Sequence, residues 1–128
     1  MTKSTAGEHA IDLSIADPRL AGPVLERLVS AAAAQAELPV DRVVNALTVV
    51  DVLVHAADSV LPDQPREVRV TVRPGRIELA LDHLIDGQAE ALRDAAALPG
   101  VGNALDGAET SVSIENEGAH SALVIALD

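Results

Sequence analysis

Apolar and polar residues follow a period that switches several times along the 128-residue chain. Ile11, Leu13 and Ile15 alternate with Asp12 and Ser14, which predicts a half-buried strand over residues 10–16. Asp17-Pro18 closes it with a turn or helix-start signal. Leu20, Val24, Leu28, Ala31 and Ala32 then recur at three- and four-residue steps, predicting a helix over 19–37 with one apolar stripe. Gly22-Pro23 suits only its first turn, because an interior Pro costs about 3 kcal/mol. After Leu38-Pro39 a second helix opens at Pro39 or Asp41 and runs to about Val60. Val43, Val44, Leu47, Val50, Val54, Ala57 and Val60, widened by Val49, Val52 and Leu53, make it apolar on most sides, so burial on most sides is expected. Leu61-Pro62-Asp63-Gln64-Pro65 forms a loop. Val68, Val70 and Val72 alternate with Arg69, Thr71 and Arg73; Pro74-Gly75 turns the chain; Ile77, Leu79 and Leu81 alternate with Glu78 and Ala80. That is a β-hairpin. Residues 82–87 read as a loop and 88–98 as a short helix with Leu92 and Ala95 inward. Pro99-Gly100-Val101-Gly102 interrupts, and 103–107 read as a further helical turn. A last hairpin pairs Ser111–Ile114 with Ser121–Leu127 across a Glu115–His120 turn.

This order predicts an α+β fold, a two-layer α/β sandwich with a mixed, mostly antiparallel sheet and helices on one face. Residues 1–9 read as a flexible tail and 10–128 as a single domain. Composition sharpens the picture. There is no Phe, Tyr, Trp or Cys, so the core is built from Val, Leu, Ile and Ala. Lacking Cys, the chain has no disulfide scaffold, thiolate zinc site, iron–sulfur cluster or cysteine nucleophile. Without aromatic rings it has no stacking platform for single-stranded nucleic acid. A net charge of -11 repels phosphate backbones and anionic membrane surfaces, so neither nucleic acid nor membrane is an expected partner. The run Val52-Leu53-Val54 is broken by Asp51 and His55, so no stretch approaching the roughly 18–20 residues of a spanning helix is expected. The first nine residues lack the apolar segment of a signal peptide, and a cytoplasmic location is the expectation.

Candidate chemistry is sparse. Asp51 and His55 lie four apart on the second helix, so both side chains leave one face and suit a base with its orienter, or two metal ligands. No third ligand is identifiable, and no metal is expected. Gly100-Val101-Gly102-Asn103 lets backbone N–H groups approach an anion ahead of a helix, or serves as a simple loop turn. Arg66, Arg69, Arg73 and Arg76 concentrate half the arginines in eleven residues. They either receive an acidic partner or form a solvated sheet face balanced by Glu67 and Glu78.

The order and spacing of these elements resemble the ATP-binding domain shared by histidine kinases, gyrase-type ATPases (the Bergerat or GHKL type) and the anti-sigma regulatory serine kinases of bacteria, the small stand-alone anti-sigma type above all. The resemblance covers about residues 10–127 and rests on layout more than on motif identity. In that family the long helix carries a Glu that acts as base or positions water, and four residues later an Asn that holds magnesium. The resemblance puts Asp51 and His55 at those positions, followed by Ala56. It puts His83-Leu84-Ile85-Asp86-Gly87 at the Asp-x-Gly-x-Gly box, where only Gly87 matches: His83 replaces the adenine-reading Asp and Ile85 the first Gly. It makes Gly100-Val101-Gly102, with Asn103, the phosphate-contacting segment that starts a helix.

These departures weaken Mg-ATP binding. A neutral His accepts the adenine amino hydrogen through one ring nitrogen only. Imidazole at position 55 denies magnesium the hard oxygen it prefers. Ile85 adds a branched side chain where backbone and nucleotide should approach closely. The resemblance therefore implies an anti-sigma-like regulatory protein, a degenerate ATPase-fold module acting by protein–protein binding in transcriptional partner switching, with a sigma factor or anti-anti-sigma factor as partner and a homodimer as a further expectation. The alternative is an active ATP- and magnesium-dependent serine/threonine-protein kinase that phosphorylates an anti-anti-sigma protein, with Asp51 catalytic and His55, His83, Gly87, Gly100, Gly102 and Asn103 around the nucleotide. A third reading, independent of the family, is a small α+β dimer in which His55 and His83 face each other across a ligand cleft and change charge near neutral pH.

Overall fold

The computed structural model describes residues 9–85, 87–98, 102–103 and 110–128. Strand β1 (His9–Ile15) leads through a 3₁₀ turn (Pro18–Leu20) into helix α1 (Ala21–Gln35) and then α2 (Val40–Val60). Strands β2 (Arg66–Arg73) and β3 (Arg76–Leu84) follow, then α3 (Gln88–Ala95), the two-residue strands β4 (Ala97–Leu98) and β5 (Gly102–Asn103), and finally β6 (Thr110–Glu117) and β7 (His120–Leu127). The main sheet has the order β1-β2-β3-β7-β6, and β4 pairs only with β5. Every ladder in the main sheet is antiparallel, where a mixed sheet was expected. The fold is α+β, a five-stranded sheet with helices packed on one face. Val68, Val70, Val72, Ile77, Leu79, Leu81, Leu123, Ile125 and Leu127 meet Leu25, Val29, Val50, Leu53 and Leu92 in one core.

Both expected hairpins form. Arg73 and Arg76 close β2–β3 across Pro74-Gly75, with Gly75 at φ 74°, the type II signature of Pro then Gly. The β6–β7 turn is tighter than expected: Glu117 pairs with His120, leaving only Gly118-Ala119 between the strands. His9 pairs with Val72, so β1 includes a residue before the start that the alternation indicated. β3 continues to Leu84 through residues expected to be loop, because Leu84 finds a partner in Ser121.

The helices correct the expected stripes. In α1 the buried residues are Ala21, Leu25, Val29, Ala32 and Ala33, while Leu20 is 54% exposed and Val24 and Leu28 only half-buried. The inward face is thus rotated by one residue from the expected stripe. In α2 the buried set is Ala46, Val49, Val50, Leu53, Ala56 and Ala57, and Val44 is 59% exposed. This 21-residue helix contains an 18-residue window of mean hydropathy 1.5, the length and composition of a membrane-crossing segment, contrary to expectation. Its buried face is part of the core, and a core helix arrives at the same composition.

Two devices fasten the layers. Helix α1 ends in a Schellman arrangement: Glu37 takes φ 59°, Leu38 N donates to Ala33 O at 3.0 Å and Glu37 N to Ala34 O at 3.1 Å. Ala36 O then accepts from Gly75 N at 2.8 Å, pinning the β2–β3 turn to the helix end. At the other end of β2, Arg66 lies inside the core at 2% exposure.

Candidate functional site

Helix α2 carries Asp51 and His55 on its outer stripe with Thr48 and Asp58, opposite the face that holds Leu53 and Ala57. Both side chains are exposed, at 66% and 77%. The nearest partner of His55 Nδ1 is the Asp51 backbone carbonyl at 2.8 Å, while the Asp51 carboxylate stands at 3.7 Å. The carbonyl first, then the charges of Asp51 and Asp58, hold the His55 pKa above its ordinary value. A catalytic dyad would have the carboxylate orient the ring. Here the helix backbone does so, and Nε2 is the nitrogen left to exchange protons.

The other candidates gather where β2 begins and β3 ends. Arg66 donates from Nη1 to the carbonyls of Leu61 and Gln64 and from Nη2 to Asp58 at 3.2 Å. It therefore clamps the C-terminus of α2, whose carbonyls attract a cation. Gln88 continues the connection: its Nε2 donates to Gln64 Oε1 at 2.9 Å, and its Oε1 accepts from Ile85 N at 2.9 Å. Gly87, at φ 75°, caps α3 just before it. His83, at φ 58°, lies where the β3–β7 register shifts between Leu81 and Leu84. It lines a cavity of about 280 Å³ with Asp12, Glu67, Arg69 and Asp82.

The expected pairing of His55 with His83 is not what the structure records. His55 is bound to Asp51 on α2, and the ring contact of His83 is with His120, centroids 5.7 Å apart. Gly102 and Asn103 belong to β5. Gly100, Asp86 and residues 104–107 lie outside the described residues.

The arginine cluster divides by strand parity. Arg66 shares the inward face of Val68, Val70 and Val72, and the expectation that it is exposed fails. Arg69 meets Asp12 at 2.7 Å, and Arg76 meets Asp128 at 2.9 Å and Glu78 at 3.3 Å. Local carboxylates thus answer these charges, as a self-balanced sheet face requires. Two features were missed from sequence: the burial of Arg66 and the contact of His120 with His83. The first was legible, because 66, 68, 70 and 72 alternate in step. The second needed the β3–β7 pairing, which no local pattern carries. No protein family and no curated protein sequence matches the chain significantly.

Proposed function

We propose that this chain is a non-catalytic regulatory module with the layout of the anti-sigma ATPase-like domains, acting by binding a protein partner such as a sigma factor or anti-anti-sigma factor. The observation that carries this reading is the state of the Asp51–His55 pair. At the position where the resembled family holds magnesium through an amide oxygen, the chain has an imidazole whose Nδ1 is engaged by its own helix at 2.8 Å. A hard cation bridging nucleotide phosphates gains little from such a group. His83, at the adenine-reading position, is engaged with His120. The chain has an α+β scaffold, and the two imidazoles at the positions that the resemblance assigns to magnesium and adenine are engaged in other contacts, a combination that suits recognition by surface rather than phosphoryl transfer. The cytoplasm is the compartment this role requires.

Isothermal titration calorimetry with Mg-ATP and Mg-ADP tests the reading, a direct heat being needed because the chain has no Trp or Tyr. No heat at high micromolar nucleotide is expected. Saturation at one site, lost in Gly102→Val, would overturn the proposal in favour of the kinase.

A further inference from the structure

We propose that His83 and His120 form a two-imidazole site for a borderline divalent transition ion (Zn²⁺, Ni²⁺ or Cu²⁺), whose remaining coordination positions are filled by water or by a ligand brought from outside the chain. The inference is independent of the nucleotide question. Its basis is how two residues distant in sequence are brought together. The β3–β7 register shifts between Leu81 and Leu84, and Leu84 re-enters the ladder opposite Ser121. Such an irregularity re-aims a side chain. His83, inside it, adopts φ 58°, a left-handed conformation that is uncommon outside Gly but enriched in Asn, Asp and His. The result sets its ring beside that of His120, the first residue of β7, both side chains exposed.

The spacing fits coordination. With metal–nitrogen bonds of about 2.0–2.1 Å, the ion sits about 3.2 Å from each ring centroid, and a tetrahedral angle separates the centroids by about 5.2 Å. The observed separation is 5.7 Å, slightly wider than that value, with the planes 36° apart. The surroundings favour a cation. Asp12, Glu67 and Asp82 line the cavity that His83 borders, Arg69 there is paired with Asp12 at 2.7 Å, and the chain carries a net charge of -11. Among the described residues no group of three ligating side chains forms, so the site offers two protein ligands. Imidazole nitrogen selects zinc, copper and nickel over magnesium and calcium. Two open positions would let a partner's own His or carboxylate complete the shell.

The test uses the whole chain. Zn²⁺ is titrated by calorimetry, and Ni²⁺ is added while the four His ring proton signals are followed by NMR. Expected are one Zn²⁺ per chain and broadening of the His83 and His120 signals before those of His9 and His55. His83→Ala and His120→Ala should each weaken binding at least tenfold, with unchanged far-UV circular dichroism, and His9→Ala should bind as the unaltered chain does. Absence of Zn²⁺ binding at millimolar metal, or full affinity in either His83→Ala or His120→Ala, would overturn the proposal. So would loss of binding in His55→Ala, which would transfer the ion to the α2 pair.

Discussion

Taking a guanidinium out of water costs several kcal/mol, so Arg66 is tolerable inside the core only because it is bound to the carbonyls of Leu61 and Gln64 and to Asp58. Asp58 is 59% exposed and can be rehydrated if the cation is removed. The two carbonyls cannot relax so easily. Arg66→Met is therefore expected to destabilise the fold by about 2–3 kcal/mol, the cost of stranded acceptors, read from the urea midpoint. Asp58→Asn should cost less than about 1 kcal/mol. His55 gives a prediction of direction only. Its folded pKa is raised, so its contribution to stability is complete below the ordinary His value and is lost as pH rises through the folded value. An NMR titration should place the His55 midpoint above the ordinary 6.5. Asp51→Asn should lower it only in part, because the leading cause, the backbone carbonyl, remains. At this scale the sequence was informative where parity was strict, as along β2, and misleading where Ala could substitute for a larger residue. In α1, Ala21, Leu25, Val29, Ala32 and Ala33 are buried, a face offset by one residue from the row Leu20, Val24 and Leu28.

Elements were easier to read than their orientations. The β2–β3 hairpin was legible because three signals coincide: two alternating runs, a Pro-Gly turn, and Gly75 at the positive φ that the turn demands. Helix α2 was legible as an element, but not in its register, since valines occur on every side of it. A pair of substitutions tests that register. Leu53→Ala, fully buried, should cost about 2–5 kcal/mol, whereas Val44→Ala, on the outer stripe, should fall within about 0.5 kcal/mol of the unaltered chain in the same urea titration. The segment after β3 was least legible. Its strand ends only where pairing with β7 stops, and α3 begins where Gly87 takes a left-handed conformation. Neither boundary is set by local hydrophobic period. Apart from Asp51 and His55 on α2, the candidate nucleotide residues fell in or next to this segment, so their placement was the part of the site that sequence could least constrain.

For the whole molecule, the decisive feature is the position of β7. The two hairpins β2–β3 and β6–β7 close over short turns and are local objects. They become one sheet only through the β3–β7 ladder, which sets Leu79 opposite Ile125 and Leu81 opposite Leu123. Helices α1 and α2 lie before both hairpins, and their valines and alanines reach full burial only over the completed floor. Closing so long a loop consumes chain entropy before any contact across it is made. The β3–β7 seam is thus, with the β1–β2 ladder, one of the two long-range closures on which the sheet depends. The same seam carries the register shift that brings His83 to His120. The two imidazoles thus meet only once the two hairpins have joined, and an ion held between them would act as a clasp on that seam.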